Sequence, residues 1–465
     1  MSTVRRALVC ALLCLGLLAG TAGPALAHAT LVRSTPAIGG HIQESSGTVT
    51  LTFSEPVQIL NRGDVSIVDG RDVQVDNGAP QALGDRVIVT LKGPLVPSSY
   101  TVRYRVISAD SHAEASAYVF GVGGAKLGEP ILAGAGGLKD TSPTAIAARV
   151  AELVGLGLLL GIIGFRMLVW GPAVERASDL DADERERALA HGQRLFWRSF
   201  WGLAALAGVA ETLVLTAKSA VVFHTGILGA AAHPTGTFRL VSASRFGDYL
   251  GWRSAALCAL VVVGFLTWTS ETGGLPSAGR RGAHALMGLL GVTALTMLAS
   301  QGHASQAPFA PLQIAADAAH LAGAAIWIGG LPCLAAVLLR APRALPERGR
   351  SLASTTLSRF SKIALWSVVV IAVTGLARMV GELATPVQLV TTGYGRDLML
   401  KASLLAPILI LARRNRRLVA ALAGGLTPTA ARLRSVARSV QMELAIAMSI
   451  VIVAALLVAQ IPGRG

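Results

Sequence analysis

Residues 311–339 read PLQIAADAAHLAGAAIWIGGLPCLAAVLL. At a rise of about 1.5 Å per residue this stretch crosses about 30 Å of hydrocarbon, and apart from Cys333 only Asp317 and His320 in it are ionisable. It is therefore read as a transmembrane helix. Seven further apolar segments lie around it, near 145–170, 196–218, 250–269, 284–302, 361–381, 397–412 and 440–461. The seventh in chain order, 397–412, is short. The whole chain of 465 residues is 52% hydrophobic and 14% charged, against about 25% charged in a soluble domain. Residues 143–465 are thus expected to form an α-helical membrane domain with eight transmembrane helices.

Charge gives the orientation. With the N-terminal side outside, the cytoplasmic connections and their flanks carry 20 Lys/Arg, among them Arg413, Arg414, Arg416 and Arg417. The outer ones carry 7: Lys218, Arg239, Arg245, Arg253, Arg378, Arg396 and Lys401. This asymmetry follows the positive-inside rule and puts the C-terminus outside as well. The net +15 is therefore a topology signal, and no nucleic-acid surface is expected.

Upstream, residues 1–27 read as a signal peptide. Arg5 and Arg6 precede the apolar run Ala7–Leu18, and Ala25-Leu26-Ala27 fits a small-x-small cleavage site. Cleavage there makes His28 the first mature residue. Residues 28–122 alternate apolar and polar side chains at Val49, Leu51, Phe53, at Val87, Val89, Leu91, and along Tyr100–Val106. Asp69-Gly70 and Asn77-Gly78 mark turns. An N-terminal all-β, immunoglobulin-like sandwich is expected. Glycines at 123, 124, 128, 136 and 137 make residues 123–142 a linker. No cysteine lies in the head, since Cys10 and Cys14 belong to the leader and Cys258 and Cys333 to spans. Neither a disulfide nor a thiolate ligand is available there.

Two constellations carry chemistry. A mature N-terminal His28 offers its α-amine and an imidazole nitrogen to one metal ion. Asp110 and His112, two apart, share one side of an extended strand. Three nitrogens and a carboxylate oxygen suit tetragonal Cu(II). The alternative is a surface Asp and His beside an ordinary N-terminus. In the membrane part, His303 ends the fourth span, and Asp317 and His320 share a helix face in the fifth. Ionisable residues inside a span are costly and point to function. A copper path and a buried helix–helix pairing are both open for them. Glu211 and Glu443 also lie within spans without a sequence-local partner, and Arg378 is four residues from Glu382.

The runs His28-Ala29-Thr30-Leu31, Ser34-Thr35-Pro36-Ala37, Leu51-Thr52-Phe53-Ser54-Glu55-Pro56-Val57, Tyr104–His112 and Phe120-Gly121-Val122-Gly123 resemble the CopC family of periplasmic copper-binding proteins. The resemblance implies Cu(II) ligation by His28, Asp110 and His112. A methionine-rich Cu(I) site is absent, because no methionine lies between Met1 and Met167. Ala113 stands where the family often has proline after Asp-Ser-His. Ser300-Gln301-Gly302-His303-Ala304, Asp317-Ala318-Ala319-His320-Leu321, Trp327-Ile328-Gly329-Gly330-Leu331, Arg359-Phe360-Ser361 and Tyr394-Gly395-Arg396 with Lys401 resemble the CopD family. The chain looks like a CopC–CopD fusion of the YcnJ type.

The expected function is copper homeostasis: the head binds Cu(II) and the membrane domain receives copper for import across the cytoplasmic membrane. The alternative is a tolerance protein that sequesters copper outside without transport. Phosphate-binding Gly-x-x-x-x-Gly-Lys and Asp-Lys-Thr-Gly-Thr motifs are absent, so no ATP-driven pump is expected in this chain. The head has no tryptophan to serve as an aromatic substrate platform, and no enzyme is expected. Copper and the lipid bilayer are the partners, with a separate reductase or copper chaperone as further candidates.

Overall fold

The computed structural model describes residues 29, 31–44, 47–108, 113–128, 142–177, 180–222, 226–232, 234–243, 245–272, 277–301, 310–344, 348–383, 387–423 and 429–458. The leader and most of the linker fall outside these residues.

The head is built from eight strands: β1 Leu31–Thr35, β2 His41–Ile42, β3 Thr48–Phe53, β4 Val65–Asp69, β5 Gln81–Leu83, β6 Arg86–Thr90, β7 Ser99–Ile107 and β8 Ala113–Val122. They form two four-stranded sheets, ordered β1-β3-β6-β5 and β2-β8-β7-β4. All pairings are antiparallel except β2 with β8. The period-two pattern explains the core. Val49, Leu51 and Phe53 of β3 and Val87 and Val89 of β6 meet Val65, Ile67, Tyr100, Val102 and Phe120 of the other sheet. Each fully buried aliphatic side chain there contributes about 1.5–3 kcal/mol. The predicted turns are present. Asp69 Oδ1 accepts from the Arg71 and Val73 N–H groups at 2.9 Å, and Gly78 adopts φ +70°, which a Cβ would disfavour. Asp76 is fully buried and tolerable because Ile67 N, Gln74 Nε2 and Gly78 N all donate to it.

The helical part comprises α1 Pro143–Gly164, α2 Ala182–Val222, α3 Ile227–Ala232, α4 Pro234–Ala243, α5 Arg245–Thr272, α6 Ser277–Ser300, α7 Ala310–Ala344, α8 Gly349–Glu382, α9 Gln388–Thr391, α10 Gly393–Ser403, α11 Leu405–Ala423 and α12 Ala430–Val458. Ser142 caps α1, accepting from Ala145 N at 3.3 Å, with Pro143 at the first helical position. α1 continues through a wide-turn segment, Phe165–Trp170, into Gly171–Glu175. Before α2, Asp181 and Glu184 form a capping box by reciprocal backbone bonds of 2.8 and 3.3 Å. Arg348 joins both carboxylates.

Among the described residues, seven helices are long and apolar enough to cross a membrane: α1 with its extension, α2, α5, α6, α7, α8 and α12. The segment expected as the seventh span, 397–412, is split between α10 and α11. Pro407 has no N–H to donate to the Ser403 carbonyl, and the helix divides there. Arg413, Arg414, Arg416 and Arg417 then end the apolar run.

Helix α7 is central, packing on α1, α6, α8 and α12. Its small residues let it do so. A Cβ on Gly161 of α1 would lie 2.5 Å from the Ala325 carbonyl oxygen and from Gly329 Cα. A Cβ on Gly330 would lie 2.5 Å from the Phe360 ring. At Gly161 the helices α1 and α7 therefore touch backbone to backbone, and at Gly330 the Phe360 ring of α8 packs directly on the α7 backbone.

Candidate functional site

Three of the expected ligands, His28, Asp110 and His112, lie outside the described residues, as does His303. What the structure fixes is the frame around them. Strands β7 and β8 are in register to their ends, with Ile107 opposite Ala113, so in the sequence residues 108–112 connect these two strand ends. Leu31, shortly after His28, pairs with Phe53, and Gln58 bridges to Ile107. Ala29 is buried in the same core as Val57. The chain following His28 and the chain flanking Asp110 and His112 thus belong to one end of the head.

That end meets the helices. Ile107, 3% exposed, packs with Ala148 of α1, Val214 and Ala217 of α2, Leu240 of α4, and Phe246 and Leu250 of α5; Leu60 covers the cluster's edge. Val214, Ala217 and Phe246 also line a cavity of about 450 Å³ among the helices. Its polar lining includes Arg149, Lys218, Gln301, Asp317, His320, Arg378 and Lys401.

Asp317 and His320 therefore share one cavity, as their spacing of three predicts. Their bonds run to a different helix. Arg378 Nη1 of α8 meets Asp317 Oδ1 at 2.7 Å, and His320 Nδ1 lies 3.2 Å from Thr374 Oγ1, also of α8. The sequence left Arg378 four residues from Glu382, whose side chain lies outside the described residues; Arg378 reaches across to Asp317 of α7. A carboxylate held by a guanidinium is a weak cation ligand until the guanidinium withdraws. Among the described residues, no three His, Cys, Asp or Glu side chains gather as a metal cluster.

Two buried ionic networks lie in the bundle, one beside the cavity and one toward the opposite end. Arg253 of α5, fully buried, reaches Glu152 of α1 at 2.7 Å, Glu211 of α2 at 3.1 Å and Gln301, just after α6, at 3.1 Å. Glu152 also takes Arg149 at 2.6 Å. Toward the opposite end, Glu271 of α5 accepts from Arg166 at 2.6 Å and from Gln193 and Trp197 at 2.7 Å, with His284 Nε2 at 3.7 Å. Arg253 counted in the sequence only as an outer topology charge, yet it ties four segments together. Its presence within the span 250–269 was the available signal. The other histidines contribute less. His41 is exposed, with Nε2 2.9 Å from the Ala125 carbonyl oxygen, and His224 and His233 lie outside the described residues.

The fold and site define a class: a β-sheet head seated on a multi-span helical domain with an interior polar cavity. Comparison with known families sharpens this. The CopC domain model matches residues 31–123, and the model described as Copper resistance protein D matches residues 354–457. The chain carries both domains in one polypeptide, the arrangement of a CopC–CopD fusion. It is 27% identical over 395 residues to "Copper transport protein CutJ" of Bacillus subtilis (strain 168), covering 83% of this chain and 67% of that protein. Solved structures similar to the head include CopC from Methylosinus trichosporium OB3b, 24% identical with TM-score 0.19, covering 23% of this chain and 100% of that one. Another is PcoC, a methionine-rich copper resistance protein from Escherichia coli, 22% identical with TM-score 0.18, covering 20% and 98%.

Proposed function

We propose that this protein takes up copper: the head captures Cu(II) outside the cytoplasmic membrane and hands it to the helical domain for import. His28, through its amine and imidazole, with Asp110 and His112, forms the capture site. His303, Asp317 and His320 form the path that follows. The reading rests foremost on the seam described above, where the hairpin end that bears Asp110 and His112 packs on helices lining the cavity of His320. Copper released there has a short way to travel, and an imidazole is a ligand suited to receive it. For Asp317 to add an oxygen ligand, Arg378 must first swing aside. In the proposed topology the 397–412 segment crosses as a broken seventh span, completing eight, the head is an immunoglobulin-like sandwich, and head and C-terminus are both outside. No catalysis is assigned; a separate reductase supplies any change in copper oxidation state.

Copper content of cells with and without the chain, grown under copper limitation, tests this reading. Import predicts a higher copper content with the chain. Unchanged content together with better survival in excess copper would establish sequestration instead.

A further inference from the structure

Arg413, Arg416 and Arg417 do more than set topology. They fall at i, i+3 and i+4 on α11, and all three are exposed side chains lining one groove of about 580 Å³ between α7, α8, α11 and α12. Arg414, outside this spacing, does not line it. Leu409 and Ala412 continue the arginine face along the helix toward its apolar end. The opposing walls are apolar: Trp327 and Leu331 of α7, and Leu357, Phe360, Ala364 and Val368 of α8. From Leu357 to Val368 the wall runs about 16 Å along the helix axis. Among the described residues no carboxylate pairs with these three arginines. The carboxylate that does line the groove, Glu443, is buried and accepts from Asn415 Nδ2 at 2.7 Å.

We infer that this groove binds an anionic phospholipid, with its phosphate on Arg413, Arg416 and Arg417 and an acyl chain along α7 and α8. Guanidinium groups pair with phosphate oxygens in bidentate fashion, and basic pockets between membrane helices suit anionic headgroups. A soluble anion would leave the apolar wall uncovered. A zwitterionic lipid would bring a positive group toward three cations that meet no carboxylate among the described residues. Only an amphiphile with net negative charge matches both halves, and the bilayer supplies it. The positive-inside arrangement puts the site in the inner leaflet. The inference stands apart from the copper reading and uses none of its residues.

The test uses the full chain, purified from membranes and reconstituted with equal amounts of phosphatidylglycerol and phosphatidylcholine, then analysed by native mass spectrometry for retained lipid. The parent is expected to retain one phosphatidylglycerol per chain, in preference to phosphatidylcholine by about ten-fold or more, the scale of several headgroup–arginine pairs. The Arg413→Gln/Arg416→Gln/Arg417→Gln variant loses that preference. Arg432→Gln/Arg434→Gln/Arg438→Gln removes as much charge elsewhere and keeps it. Ala364→Trp keeps the arginines, fills the wall and loses the lipid; Arg→Lys at the three positions retains it in part and controls for folding. Equal retention of both lipids by the parent, unchanged retention in the Gln variant, or a second copy of the chain occupying the groove in place of lipid would overturn the inference.

Discussion

Replacing Arg253 by leucine removes a fully buried charge that ties together four segments of the helical domain. Arg253 is fully buried and forms ion pairs with Glu152, itself 1% exposed, and with Glu211, and donates to Gln301. Removing one partner of a buried ion pair typically costs about 3–5 kcal/mol, because the remaining charge stays desolvated. Arg149 still reaches Glu152, so the lower end, about 3 kcal/mol, applies. For a helical domain that runs from residue 143 to residue 465 this corresponds to a fall of about 4 °C in unfolding midpoint. Arg253→Lys keeps the charge but not the fork of donors, and should fall between parent and leucine variant. Arg253→Leu combined with Glu152→Leu and Glu211→Leu should recover part of the loss, since no orphaned charge remains. The assay is thermal unfolding of the detergent-purified full chain. An Arg253→Leu protein melting within about 1 °C of the parent would refute the reasoning, because it would mean the network is solvated and carries no weight.

Other outcomes follow from the same structure. Gly161→Val forces α1 away from α7, where even a Cβ would lie 2.5 Å from the Ala325 oxygen, and should destabilise the chain by about 1–3 kcal/mol in the same melt; Gly157→Ala, where no heavy atom is near, should not. In the head, burial pushes the Tyr118 phenol up to about 12. The unfolded phenol ionises near 10, so this contribution is fully present below pH ~10 and is lost as pH rises toward ~12, by about 2–3 kcal/mol. Tyr118→Phe should flatten that alkaline limb in denaturant unfolding, though Tyr100 and Tyr104, raised by burial too, keep some slope; an unchanged limb would contradict the assignment. One glycine added before His28 should weaken Cu(II) binding by the head by more than ~100-fold in competition titration, beyond the 10- to 100-fold typical of outer-shell changes; equal affinities would falsify the N-terminal chelate.

The head was legible in the sequence because its side chains alternate. Val49, Leu51, Phe53, Val87, Val89, Tyr100 and Val102 are all buried as that pattern demands. One departure is informative. Val106 and Ile107 are adjacent and both buried, Val106 in the head's core and Ile107 against the helices. Period-two reading assigns one face to the core and says nothing of what covers the other. The spans were legible from length and hydropathy, but Pro407 divides the short one, and a window average does not register a missing N–H. Side-chain partners were the least legible. Arg253 finds Glu211 and Gln301 at 42 and 48 residues' distance, and Arg378 crosses to Asp317 on a neighbouring helix. Helical spacing orders residues on one face of one helix and carries no information about the helix opposite.

The central claim is that copper entering the cell passes first through the head. The direct measurement is the initial rate of radioactive copper entry into copper-limited cells expressing the parent chain, the Asp110→Asn/His112→Ala chain, or neither, with equal amounts of each protein in the membrane. The account predicts entry above background with the parent and a fall to background in the double variant. Entry at the parent rate in the double variant, or a parent rate no higher than that of cells lacking the chain, would contradict it.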